Sequence, residues 1–247
     1  MPYVMNGDIR IHYEIEGSGP ALIMRHGFTD NLATWYDGYV DPLKREYTLV
    51  LIDACGHGDS DKPRDTASYA MEHRVADIVA VIDELKTARA HYFRYSMGGW
   101  IGFGMARYAP DRLSSLIVGG MDAAPRKREP HPLLAPGMAS RGAAAIVDLW
   151  DAPMPPALRE RVLKNDMEAI RASRVDDPAY EDILPTIAVP CLLLAGDKDP
   201  IYLTAQAHAA KIPNARFVTI PGLNHAGTLF RSDLVVPRIT QFLRDVA

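Results

Sequence analysis

Tyr92-Phe93-Arg94-Tyr95-Ser96-Met97-Gly98-Gly99-Trp100 is the stretch on which the fold turns. Its opening residues are aromatic and suit a short buried strand, whereas small and apolar residues continue at helical density from Met97 to Tyr108. A serine at such a junction occupies a tight strand-to-helix turn, with its hydroxyl exposed and the N-terminus of a helix behind it. Gly98 and Gly99 supply the small neighbours that the turn demands on its C-terminal side. The same position also reads as an ordinary N-cap serine. The company Ser96 keeps along the chain decides between the two.

Outward from this junction, short β-rich runs alternate with longer helical patterns. Ile9 to Ile15 alternates like a half-buried strand, while Ala21 to Met24, Tyr47 to Ile52, Leu116 to Val118, Cys191 to Ala195 and Arg216 to Ile220 are strand-like runs. Met71, Val75, Ile78, Val79, Ile82 and Leu85 fall at helical spacing. Continuous apolar strands separated by helices predict an α/β fold, a mostly parallel sheet covered on both faces. One segment breaks the rhythm: Met121 to Pro185 holds nine of the 19 prolines and no convincing strand. It predicts a small helical insertion, with helices over Gly137–Trp150 and Pro156–Ser173, Pro155-Pro156 suiting the first turn of the second. The domain reading is therefore a core in two parts, residues 1–120 and 186–247, interrupted by an insertion over 121–185.

Composition narrows the function. The chain has 247 residues, 48% of them hydrophobic, a net charge of -4 and two cysteines, Cys55 and Cys191. That is enough apolar material for a substantial core, and the slightly acidic balance argues against a nucleic-acid partner or an anionic membrane surface. No apolar run approaches the ~20 residues of a membrane helix. Met1 to Arg10 lacks the basic and apolar regions of a secretory signal, and the cysteines lack metal-ligand spacing, so a reduced, cytoplasmic setting is expected with both thiols as packing groups. Arg126-Lys127-Arg128 reads as a solvated surface cluster.

A serine nucleophile needs a base, and the base needs an orienting acid. Gly196-Asp197-Lys198-Asp199 follows the run ending at Ala195, and Gly222-Leu223-Asn224-His225 follows the run ending at Ile220. Each candidate thus lies in a loop at the C-terminal edge of a parallel sheet, where such sheets place their sites. An aspartate after a strand is often a turn residue, and a single histidine is often plain surface. Serine, acid and histidine in that order, each after its own strand, form a far more specific pattern.

The chain resembles the α/β-hydrolase superfamily, and within it the small esterases, lactonases and cofactor-free perhydrolases. The matching stretches are His26-Gly27-Phe28-Thr29, Asp53-Ala54-Cys55-Gly56-His57-Gly58-Asp59-Ser60, Tyr95-Ser96-Met97-Gly98-Gly99 and the two loops ending at Asp199 and His225. The resemblance implies a catalytic triad of Ser96, Asp199 and His225, with Asp199 preferred over Asp197 by its place in G-x-x-D. It also implies an oxyanion hole from the backbone amides of Phe28 and Met97, and an insertion acting as a cap. Asp122 occupies an alternative location for the acid, and His57 falls in a structural turn. The implied activity is hydrolysis of a small-molecule carboxylic ester or lactone, without metal or organic cofactor and compatible with a homodimer. Serine at the elbow argues against the dehalogenases and epoxide hydrolases of the superfamily, which use aspartate there. Thioester hydrolysis, perhydrolysis, C–C hydrolysis and a receptor-like role stay open on the same residues.

Two positions depart from the pattern. Cys55 replaces the arginine of D-x-R-G-x-G-x-S, and Arg94 replaces the first glycine of G-x-S-x-G. Arg94 is expected at a strand end near the sheet edge of the pocket, its side chain extending sideways while it strains the elbow. Trp35, Trp100, Trp150, Met138, Met154 and Met167 are candidates for core or for an apolar pocket wall.

Overall fold

A computed structural model describes residues 2–125, 142–148, 154–175 and 178–247. Eight strands run in the order β1-β2-β4-β3-β5-β6-β7-β8 across one sheet. They are β1 Tyr3–Asn6, β2 Ile9–Gly17, β3 Ala21–Arg25, β4 Thr48–Ile52, β5 Ala90–Tyr95, β6 Leu113–Gly119, β7 Cys191–Gly196 and β8 Ala215–Ile220. β1 and β2 form an antiparallel hairpin that joins β4 antiparallel, and all later neighbours are parallel. The helices are α1 Val40–Leu43, α2 Met71–Glu84, α3 Gly98–Tyr108, α4 Ala144–Asp148, α5 Pro156–Leu163, α6 Met167–Ala172, α7 Tyr202–Ala209, α8 His225–Phe230 and α9 Ser232–Asp245. The mostly parallel α/β sheet expected from the sequence is present.

The strands are buried on both faces, so alternate residues of one strand feed two separate cores. Ile23, Val50, Tyr92, Val118 and Leu193 pack with Val75, Ile78 and Ile82 of α2 and Phe103 of α3. Their sequence neighbours Leu22, Leu51, Phe93, Ile117 and Leu194 face the other way, against Val235, Ile239, Phe242 and Leu243 of α9. At roughly 1.5–3 kcal/mol for each such side chain buried, these two layers hold the sheet between helices. Trp35 and Trp100 belong to these cores.

Between β6 and β7 the described residues form only helices and turns. The single helix expected over Pro156–Ser173 is two, because Asp166 caps a new start: its carboxylate accepts from the amides of Glu168 and Ala169. Of the helix expected over Gly137–Trp150, the described part is α4; residues 137–141, Leu149 and Trp150 lie outside the described residues, as do Met138 and Arg126-Lys127-Arg128. Met154 and Met167 pack against a small cluster of Ala145, Ile146, Leu158 and Val162. Both cysteines are buried as free thiols, and burial pushes each up to about 12.

Candidate active site

β5 ends at Tyr95 and α3 begins at Gly98, which leaves Ser96 and Met97 to make the turn. Ser96 adopts φ 58°, a left-handed backbone that an L-residue with a side chain takes up only under constraint. Its amide donates to the Gly119 carbonyl of β6 at 2.9 Å, which pins the turn to the sheet. Close approach is needed on the helix side as well. A Cβ on Gly99 would lie 2.1 Å from Cβ of Met121. Helix α3 has no side-chain cap, so the N-cap reading of Ser96 does not hold; its hydroxyl is engaged elsewhere.

That partner is His225, the first residue of α8. Ser96 Oγ lies 2.8 Å from His225 Nε2, and His225 Nδ1 lies 2.7 Å from Asp199 Oδ2. A carboxylate can only accept, so Nδ1 carries the proton and Nε2 is left to accept from the serine hydroxyl. Asp199 is 4% exposed and receives the amide of Ile201 on its other oxygen. The two loops close on each other tightly: a Cβ on Gly196 would lie 2.0 Å from the Leu223 carbonyl oxygen. Asp197 instead accepts the Gly222 amide at 2.7 Å, and Asp122 accepts the Ala124 amide at 3.1 Å. The geometry therefore unites Ser96, His225 and Asp199 and gives the two other aspartates backbone-capping roles.

Sequence reasoning missed Tyr95 as a support. Its hydroxyl donates to the His225 carbonyl at 2.7 Å, and its ring sits 5.4 Å from the imidazole. Burial, with the Asp199 carboxylate adding to it, holds this phenol well above its ordinary pKa, so it stays a donor. The contact spans 130 residues and has no signature in local spacing.

Phe28 lies in the loop after β3, next to Thr29 at φ 65°. His26 braces this loop. The Ala54 amide donates to its Nε2 at 3.0 Å, so Nδ1 must carry the proton that reaches the Gly27 carbonyl at 2.7 Å. Asp53 ties the same region together, accepting from the amides of Leu32 and Asp59 and from His12 Nδ1. Burial opposes its charge, but these donors hold the carboxyl below its usual range. His57 is buried in the adjacent turn, donates to the Cys55 carbonyl and packs its ring 5.9 Å from Phe28. Burial pushes it well below its ordinary pKa, so it is neutral and structural. The Cys55 thiol contacts the Asp61 carbonyl at 3.8 Å within this turn.

Ser96 and His225 open into a cavity of about 280 Å³. Phe28, Ile146, Leu158, Val162, Leu229 and Phe230 supply apolar walls, and Asp30 is the one charged side chain among the described lining residues. Leu158 and Val162 lie one helical turn apart on α5, a spacing legible in sequence only once the site is known.

Arg94 corrects an expectation. β5 lies between β3 and β6, so Arg94 is in the middle of the sheet, paired with Arg25 and Val118. Its side chain is wholly buried, 5.6 Å above the Tyr92 ring, and its three guanidinium nitrogens have no hydrogen-bond partner among the described residues. Burial pulls it well below its ordinary value, to about 9. Arg94 is absent from the residues with positive φ, so what it brings is a buried charge within regular strand geometry rather than backbone strain.

The fold and this site define the class. A family model described as the alpha/beta hydrolase fold matches residues 20–136. The chain is 24% identical over 265 residues to a Bacillus subtilis (strain 168) protein whose name assigns it provisionally as a 2-succinyl-6-hydroxy-2,4-cyclohexadiene-1-carboxylate synthase, covering 96% of each. Among solved structures it is similar to the enol-lactonase from Burkholderia xenovorans LB400, with a TM-score of 0.83, 23% identity and coverage of 98% of this chain and 100% of that one. It is likewise similar to an esterase from Exiguobacterium antarcticum, with a TM-score of 0.84, 21% identity and 98% of both chains covered. The chain has the α/β-hydrolase fold. No helix among the described residues is long and apolar enough to cross a membrane.

Proposed function

We propose that this chain is a serine hydrolase that cleaves a carboxylic ester or lactone bond of a small molecule through an acyl-enzyme. The observation that carries the reading is the continuous relay from Asp199 through His225 to Ser96, at 2.7 and 2.8 Å, opening into an apolar cavity. Ser96 Oγ attacks the carbonyl carbon while its proton passes to His225 Nε2. Asp199 keeps Nδ1 protonated and stabilises the imidazolium that forms. The backbone amides of Phe28 and Met97 receive the oxyanion, each such donor being worth roughly 3–4 kcal/mol in the transition state. Collapse breaks the bond to the leaving oxygen, which takes the proton from His225. Water, deprotonated by the same nitrogen, then attacks the acyl carbon, and Ser96 departs with the proton to release the acid.

Residues 121–185 serve in this reading as a cap over the cavity, with Ile146, Leu158 and Val162 as its walls. A volume of about 280 Å³ sits at the lower edge of the range for small-molecule sites and suits small to medium acyl groups. The enol-lactonase and the esterase above support the substrate class by analogy of fold alone. A panel of p-nitrophenyl esters and lactones, run beside Ser96→Ala, tests it: Ser96-dependent turnover is the expected result, and tight binding without turnover would contradict it.

A further inference from the structure

Helix α5 makes two sets of contacts. Leu158 and Val162 line the cavity beside Phe28 and Ser96. Arg161, within the same turn, and Asn165, just beyond the helix, reach the loop that follows β3. Arg161 Nε donates to Asp30 Oδ1 at 2.7 Å and its Nη2 to Asp37 Oδ2 at 2.9 Å. Asn165 Nδ2 donates to the Thr29 carbonyl at 2.6 Å and to that of Val162 at 2.9 Å. The Arg161 and Asp30 side chains are 10% and 8% exposed, so this pair is shielded from water and geometrically fixed. Thr29, held between these contacts, has φ 65°, a backbone that a β-branched residue keeps only when its surroundings impose it. Phe28 is the residue before it.

We propose that Arg161 and Asn165 are positioning residues for the Phe28 oxyanion donor, so that the helix shaping the cavity also sets the donor. The inference rests on the serine-hydrolase reading. Oxyanion donors work by being in place before charge develops, and a displacement of about 1 Å can cost on the order of 100-fold in rate. Holding the Thr29 carbonyl and the Asp30 side chain fixes the chain two peptides beyond that donor, across the constrained Thr29 backbone. Because Leu158 and Val162 ride on the same helix, a substrate too large for the cavity shifts the clamp, and the loss falls on kcat as well as KM.

Steady-state kinetics on a p-nitrophenyl ester, paired with inhibition by an alkyl trifluoromethyl ketone, tests the proposal, since the ketone's hemiketal oxyanion needs the same donors. Arg161→Met should lower kcat by roughly 10- to 100-fold with KM within about threefold, and should raise the Ki of the ketone in proportion. Asn165→Ala should give a smaller loss, roughly three- to tenfold, of the same kind. Arg161→Lys, which restores one charged hydrogen bond, should recover part of both kcat and Ki. An unchanged kcat, a defect confined to KM, or a fall in kcat with an unaltered Ki would overturn the proposal. Should Arg161→Met fail to fold, Arg161→Lys and Asn165→Ala decide by the same two readouts. Wild-type turnover that survives Ser96→Ala would overturn the serine-hydrolase reading and this inference together, whereas Ser96-dependent turnover with normal kcat and Ki in these variants overturns only the inference.

Discussion

Replacing Arg94 with methionine should make the protein more stable. The guanidinium is fully buried, lacks a hydrogen-bond partner among the described residues and is pulled well below its ordinary pKa, to about 9, by burial. At about 1.4 kcal/mol for each tenfold change, keeping that charge at neutral pH costs on the order of 5 kcal/mol. Methionine fills most of the same space without charge, but forfeits the contact over Tyr92 and leaves imperfect packing, each worth about 1–2 kcal/mol. The expected net gain is about 2 kcal/mol, or roughly 4–8 °C in Tm for a chain of this size. Urea unfolding at several pH values checks the cause as well as the sign. Above about pH 9 the unfolded chain holds the Arg94 proton more tightly than the folded one, so this group makes wild-type stability rise with pH there. The advantage of Arg94→Met should therefore be full at pH 7.5 and narrow as the pH passes 9. A variant less stable than wild type by more than about 1 kcal/mol would refute the argument and mean that the guanidinium is anchored. Arg94→Gly is the poorer substitution, because it empties the site and loosens a central strand.

Ser96→Ala and His225→Ala should each lower kcat by several orders of magnitude, and the double variant should be little worse than either, since the residues act as one unit; additive losses would break the assignment. Asp199→Asn should cost roughly 10⁴ in kcat, against far less for Asp197→Asn and Asp122→Asn, which cap backbone amides. Val162→Phe should shrink the cavity and, for a butyrate ester, raise KM about tenfold and lower kcat with it while sparing the acetate, and no jump in activity should appear on emulsified long-chain triglyceride. His57, neutral in the fold, gains a proton on unfolding below about pH 6.5, so it makes stability fall as pH drops from 7.5 to 5; His57→Phe should flatten that slope in urea titrations, and an unaltered slope would contradict the burial argument.

The central strands were legible because burial on both faces leaves continuous apolar runs, as in Thr48–Ile52 and Cys191–Gly196. Ser96, Asp199 and His225 were legible because each follows such a run at the same edge of the sheet. β1 was not, since four half-exposed residues at a sheet edge carry little periodic signal. The break between α5 and α6 turns on one capping aspartate within an otherwise helical pattern. The burial of the Arg94 side chain was not legible because sequence order says nothing of strand order: β5, which comes fifth, lies between the third and the sixth. Contacts such as Arg161 to Asp30 and Tyr95 to His225 join residues more than a hundred positions apart, and only the folded chain brings them together.

The most direct measurement of the central claim is covalent labelling with a fluorophosphonate, followed by peptide mass spectrometry and a parallel ester-hydrolysis assay. One phosphonyl adduct per chain, on Ser96, should form in step with loss of activity. It should be absent from Ser96→Ala and form far more slowly in His225→Ala. An adduct on another residue, or hydrolysis that persists in Ser96→Ala, would contradict the account.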